Sequence, residues 1–197
     1  PMNINIWRAP TDNDRHLKSE WYRAHYDRAT ERAYETTYNL SDNEVTIETE
    51  ISLSAAPVQR MLTLKAVWTV KSSGEIEVNM DVRRNTEFPE LPRFGLRIFT
   101  PKEMNQVTYY GMGPCESYRD KHRTSFHSEF TDTVENLHED YIRPQENGSH
   151  FDCDFITLSD NERSITVTSD KAFCFNASPY TQEELENKKH NFELEPH

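Results

Sequence analysis

From Val45 to Val82 the side chains alternate apolar and polar with a period of two, and this alternation constrains the fold more than any other feature of the chain. Val45, Ile47, Ile51 and Leu53 alternate with Thr46, Glu48, Glu50 and Ser52, which predicts a strand with one wet face. Leu62, Leu64, Ala66, Trp68 and Val70 form the next apolar set, and Ile76, Val78, Met80 and Val82 the one after it. Ser72-Ser73-Gly74 lies between these two sets, so they read as a β-hairpin closed by a glycine-containing turn.

The rest of the chain follows the same pattern less strictly. Strands are predicted over 94–99, 106–110 and 173–176, with a second hairpin from 151–158 and 164–168 through Ser159-Asp160-Asn161-Glu162. A Gly-Pro turn is predicted at Gly113-Pro114. Two helices interrupt the β pattern. One is predicted over 19–32, with Ser19 as its cap, Trp21, Ala24, His25 and Arg28 on one stripe, and enough charge on its other faces to lie on a surface. The other follows Thr181, which stands three residues before Glu184 at the spacing of a capping box. No repeat or linker divides the sequence. The expected class is all-β: one large antiparallel β-sandwich over 1–197 as a single domain, with two short peripheral helices.

Charge narrows the range of partners. Twenty-two basic against 34 acidic side chains give a formal charge of -12, which repels phosphate backbones and anionic lipid, so no nucleic acid and no membrane partner is expected. Cys115, Cys153 and Cys174 are an odd, scattered set without CxxC spacing and read as free thiols in a reducing, cytoplasmic setting. On that reading the sequons Asn147-Gly148-Ser149 and Asn176-Ala177-Ser178 are chance matches. The two ends, Pro1-Met2 and Glu195-Pro196-His197, carry no natural start or finish signal, so the chain reads as truncated.

Three groups of residues could carry chemistry. His122, His127 and His138 with Glu116 and Asp120 lack the HxH, HxxxH or HExxH spacing of a metal site and read as a surface cluster, with acid–base work by one histidine as the rival. The acidic residues are too many for a catalytic pair to stand out, and Asp12, Asp14, Glu116 and Asp120 lie beside turns, where carboxylates also bind backbone amides. Trp7, Tyr109, Tyr110, Tyr118 and Phe126 read as core aromatics, or as a sugar-stacking platform. No GxSxG, P-loop or GxGxxG is present.

Four ordered stretches are more specific. Ile6-Trp7-Arg8-Ala9-Pro10-Thr11-Asp12-Asn13-Asp14 resembles the (F/W)xRAPxDND signature in the last domain of glycoside hydrolase family 2 β-galactosidases. Tyr109-Tyr110-Gly111-Met112-Gly113-Pro114-Cys115-Glu116-Ser117-Tyr118-Arg119-Asp120-Lys121 is similar to that domain's (Y/W)xGxGPxExYxDR segment, with Lys121 in place of the usual arginine. Tyr141-Ile142-Arg143-Pro144-Gln145-Glu146-Asn147-Gly148 is similar to its YxxPQENG segment, and Leu91-Pro92-Arg93-Phe94-Gly95-Leu96 to its PRxG strand.

The resemblance implies a galactose-mutarotase-like supersandwich, found as the C-terminal domain of a long enzyme or as the small chain of a two-chain one. It implies retaining hydrolysis of terminal β-D-galactosides such as lactose, with the catalytic glutamates on a separate barrel. Hence no catalytic residue is expected here, and no cofactor; magnesium and sodium belong to the missing domains. The implied partners are the catalytic barrel domain or large chain, and the galactoside through the full enzyme, in an oligomeric parent. Arg15, His16, Leu17, Lys18, Ser19 and Glu20 match a loop at the active-site rim. Trp7, Arg8, Pro10, Asp12, Asn13, Asp14, Gly111, Gly113, Pro114, Glu116, Tyr118, Asp120, Pro144, Glu146, Asn147 and Gly148 are the expected structural residues, with Gly111 and Gly113 supplying unusual backbone angles. Two other readings compete: an aldose 1-epimerase using His122 or His127 with Glu116, and a carbohydrate-binding module using exposed aromatics.

Overall fold

The structure, a computed structural model, describes residues 2–196; Pro1 and His197, the ends of the expected 1–197 domain, lie outside the described residues. Ten strands and two short helices follow one another, which makes the chain all-β, as its periodicity predicts. The strands are β1 (Met2–Asn5), β2 (Thr30–Leu40), β3 (Glu44–Ser54), β4 (Leu62–Lys71), β5 (Ile76–Arg84), β6 (Gly95–Ile98), β7 (Gln106–Gly113), β8 (Phe126–Thr133), β9 (Ser149–Ser159) and β10 (Ser164–Asn176). The helices are α1 (Lys18–Arg23) and α2 (Gln182–Asn187). The chain forms two compact units: an N-terminal unit of Asn3–Arg8 and Asp14–Arg97, and a C-terminal unit of Met2, Ala9–Asn13 and residues 98–196. The short strands β1 and β6 pair as a two-stranded sheet.

The N-terminal unit is built on an antiparallel sheet in the order β2-β3-β4-β5. Register places Ile51 opposite Leu64 and Leu64 opposite Val82, so the alternating apolar sets meet on one face. Leu53, Leu62, Leu64 and Ala66 are buried there with Ile4, Ile6, Trp7, Trp21, Ala24, Tyr26 and Met61. Burying side chains of this size contributes roughly 1.5–3 kcal/mol each. Gly74 closes the β4–β5 hairpin at φ 90°, a conformation that needs no Cβ.

Two expectations fail in this unit. The predicted helix over 19–32 ends at Arg23, because His25 adopts φ 58° and ψ 34° and turns the chain out of the helix. The helix does lie on the surface as expected, with Ser19, Glu20, Tyr22 and Arg23 exposed. Trp21 and the following Ala24 are buried, the indole donates to the Glu90 carbonyl at 3.0 Å, and the Tyr26 hydroxyl donates to the Pro89 carbonyl at 2.6 Å. Ser19 does not cap the helix: Leu17 occupies that position without a side-chain bond. Residues 30–32, placed in the helix by the sequence, begin the edge strand β2.

The C-terminal unit is an antiparallel sheet in the order β10-β9-β7-β8. Val107, Tyr109, Cys153 and Phe175 form its core with Leu137, and Phe130, Ile156 and Leu158 pack around them. The predicted second hairpin is present. Asp160 accepts from the Glu162 and Arg163 amides at 2.8 and 2.7 Å and pairs with the Arg163 guanidinium at 2.7 Å, which fixes its turn. The stretches 164–168 and 173–176 are one strand, β10, with irregular pairing between Thr168 and Phe173. Thr181 accepts from the Glu184 amide at 3.1 Å and caps α2.

Candidate functional site

Residues 144–150 are seven consecutive buried residues, and all but Pro144 and Gly148 carry polar side chains. Burying polar groups is costly unless each finds a partner. Here the partners come from the other conserved-looking motif stretches. The Asp12 amide donates to the Gln145 side chain at 2.9 Å, and the Glu146 amide donates to the Ala9 carbonyl at 3.3 Å. The Asn147 carboxamide accepts from the Glu139 amide and donates to the Gln145 carbonyl, both at 2.9 Å. His150 Nδ1 meets the Met112 carbonyl at 3.1 Å, and the Ser117 hydroxyl donates to the same carbonyl at 3.0 Å.

Glu116 is the centre of this junction. Its buried carboxylate accepts from Lys121 Nζ, from the Tyr141 hydroxyl and, at 2.8 Å, from the Gly148 amide. Burial alone would raise its pKa, but these three donors outweigh burial and hold it below the usual glutamate value of 4.5. The hydrogen bond to Glu116, with a second to Tyr141, raises the Lys121 pKa. Tyr118 is pushed up by burial first and then by Glu146 and Glu116 nearby. Lys121 thus bridges Glu116 and the Tyr141 hydroxyl. It is held by a tight turn in which Tyr118 and Lys121 exchange backbone bonds at 2.8 and 3.0 Å, with Asp120 exposed at the bend.

Gly111 and Gly113 act through space, not angle. Among the glycines only Gly74 and Gly148 have positive φ, so the expectation of unusual backbone angles at Gly111 and Gly113 is corrected. A Cβ on Gly111 would overlap the Cys153 Sγ, and one on Gly113 would overlap the Tyr109 hydroxyl and come within 2.8 Å of the Phe130 ring. Gly148, at φ 69°, has a Cβ position that collides with the Leu137 carbonyl. The Gly113–Pro114 peptide is cis, and Pro114 is exposed.

Of the remaining motif residues, Trp7, Arg8 and Asp14 belong to the N-terminal unit and Pro10, Asp12 and Asn13 to the C-terminal one. Trp7 is buried edge-on to Trp21 with ring centroids 6.3 Å apart, and Arg8 pairs with the buried Asp14 at 2.8 Å. Pro10, of the C-terminal unit, is half-buried, and Asn13 is exposed. Arg15, His16, Leu17, Ser19 and Glu20 are exposed and Lys18 half-buried, forming a 3-10 turn and the first turn of α1. Glu20 lines an open recess of about 490 Å³ with Arg23 and Phe88.

The other candidates do not assemble. His122 Nδ1 meets the Tyr118 carbonyl at 3.0 Å, and His127 Nε2 meets the Asp152 carbonyl at 2.9 Å, while Glu116 is bonded to Lys121, Tyr141 and Gly148. An acid–base pair of Glu116 with either histidine is thus not formed. Glu116 is also shifted in the wrong direction for a glycosidase acid, which needs a raised pKa. Among the described residues there is no group of three or more His, Cys, Asp or Glu placed to hold a metal ion. All three cysteines are free, and burial pushes the Cys153 thiol up to about 12. Tyr109 is core, whereas Phe126 and Tyr110 are exposed. No helix among the described residues is long and apolar enough to cross a membrane. What the junction can do is hold three distant segments in fixed register, not transfer a proton or a glycosyl group.

The sequence has close relatives. A family model described as the beta galactosidase small chain matches residues 1–197. The chain is 42% identical over 195 residues to a beta-galactosidase of Actinobacillus pleuropneumoniae and 38% identical over 192 residues to one of Staphylococcus xylosus. It is 31% identical to a beta-galactosidase of Lactobacillus delbrueckii subsp. bulgaricus. These matches cover 97–99% of this chain but 19% of each relative's length.

Proposed function

The chain belongs to the β-galactosidase small-chain family, and from that premise we propose that it is the accessory β-domain of a β-galactosidase, with no catalytic carboxylate of its own. The observation that carries this reading is the pairing of a full-length family match with 19% coverage of the relatives. The parent is a glycoside hydrolase of family 2 that hydrolyses terminal β-D-galactosides such as lactose with retention, in the cytoplasm, as an oligomer. Its nucleophile, its acid–base residue and its magnesium and sodium ions belong to a barrel outside residues 1–197.

In this division of labour the chain contributes shape. The Glu116 junction holds the RAPTDND, GMGPCESYRD and PQENG stretches at fixed spacing. The exposed 15–20 segment is the part offered to the barrel mouth. Such a segment acts by excluding water and positioning substrate, which affects KM and kcat without entering the bond-breaking step.

The test is direct. Nitrophenyl β-galactoside should be hydrolysed by the parent that joins this chain to its barrel, and not by residues 1–197 alone. Hydrolysis by the isolated chain would overturn the reading.

A further inference from the structure

One face of the β2–β5 sheet is apolar but for Thr36 and Thr49, and is covered over only part of its length. Register defines successive rows across the four strands. Ala33, Ile51, Leu64 and Val82 make one row, with Leu64 only 3% exposed. In the next, of Thr36, Thr49, Ala66 and Met80, Ala66 is 1% exposed. Then the cover ends. Tyr38, Ile47, Trp68 and Val78 form a row in which Tyr38 is 71% exposed. Leu40, Val45, Val70 and Ile76 form the last, with Leu40 at 65% and Ile76 at 58%. These eight side chains include no charge and span four strands, about 14 Å at the usual strand spacing. The opposite face of the same strands carries Thr46, Glu48, Glu50, Lys65, Thr69, Glu77 and Asn79, as an ordinary wet face does.

An apolar patch of this size, continuous with a core, marks a surface that something covers. We propose that these two rows dock against an apolar surface of the parent polypeptide lying outside residues 1–197. This rests on the reading of the chain as one part of a β-galactosidase, and two observations select the occupant. The chain spans 19% of its relatives' length, so about four fifths of such a polypeptide is available to supply the surface. A second copy of this chain carries the same formal charge of -12, so self-pairing brings like charges together. The docking also covers part of β2, an 11-residue edge strand exposed throughout, which otherwise invites uncontrolled pairing.

The experiment uses the complete parent enzyme with a benzophenone photo-crosslinker at position 76, followed by mass spectrometry of the linked peptides. A linked peptide from outside residues 1–197 of the parent is the expected result. Linkage to position 76 of a second copy, to a peptide within residues 1–197, or to nothing overturns the proposal. A second measurement compares Ile76→Glu with Asn79→Glu, which lies on the wet face of the same strand. The assembled fraction should fall roughly tenfold or more for the first and stay unchanged for the second. Equal effects of the two overturn the proposal. Galactoside hydrolysis by the parent is read separately, so an enzyme that is active but cross-links only to itself counts against the docking face alone.

Discussion

Gly111 and Gly113 show how much one missing carbon can matter. The GxGP pattern marks both as special, but the reason it implies, backbone freedom, is not the one the structure gives: both lie where a side chain has no room. The close approach joins Gly111 to Cys153, 42 positions away, and Gly113 to Phe130, 17 away, and leaves no local trace in the sequence. Gly111→Ala should cost about 1–3 kcal/mol in chemical denaturation. Adding Cys153→Ala should restore only part of this, since the Cys153 Cα also lies 3.0 Å from the new methyl. Glu116 gives a prediction in pH. Its folded pKa is depressed, so its contribution to stability is present above 4.5 and is lost as pH falls through the folded value. His150, buried and lowered first by burial, likewise contributes above 6.5 and loses that contribution on acidification. The melting temperature of the native chain should fall in acid, and Glu116→Gln should flatten the part of the decline below 4.5. At neutral pH the same variant should cost about 1–3 kcal/mol, because Lys121 and Tyr141 lose an ionised partner.

At the scale of elements, legibility follows the strictness of the period. β3, β4 and β5 alternate with only Thr49 and Val67 out of step, and their limits fall within two residues of the predicted apolar sets. The sequence predicts neither β2 nor β8, and the reason is physical. Both lie at a sheet edge, as β5 and β10 also do, but β2 is exposed throughout and β8 has no buried residue, so nothing requires apolar residues at every second place. Thr30–Leu40 is exposed throughout and offers the helical stripe before it no competing pattern. The end of α1 is set by the left-handed His25, a residue type that rarely marks such a stop. Of the two predicted side-chain caps, Ser19 fails and Thr181 is present. Thr181→Ala should lower stability by about 1 kcal/mol by removing the acceptor for the Glu184 amide. Calorimetry checks this, with Thr181→Ser expected to retain most of the stability.

The whole molecule has two cores and a buried polar junction, and only the cores were foreshadowed by periodicity. The junction was visible as motif resemblance, which located its residues without saying what they touch. Asp12 and Gln145 are 133 positions apart, and no reading of spacing pairs them. The donors around Glu116 hold it ionised and bonded, which supports the proposed reading of the junction as structural. Activity should therefore track the junction only indirectly. In the parent enzyme, Glu116→Gln should reduce the amount of assembled protein more than the kcat of the protein that does assemble, as gel filtration with active-site titration would measure.

The burial of Asn147 has a bearing on how this protein can be produced. Asn147-Gly148-Ser149 is an acceptor sequon, yet the folded chain hides the carboxamide and uses both its oxygen and its nitrogen in hydrogen bonds. A eukaryotic secretory host attaches glycans while a chain is still entering the lumen, before any fold can shield the asparagine. A glycan there cannot be accommodated at a buried, doubly bonded side chain, so the modified molecules should be retained as misfolded species. Secreted yield from yeast should be low, the retained fraction should shift in mobility on endoglycosidase treatment, and Ser149→Ala with Ser178→Ala, which together abolish both sequons, should remove that shift. Production in a host without this modification avoids the conflict.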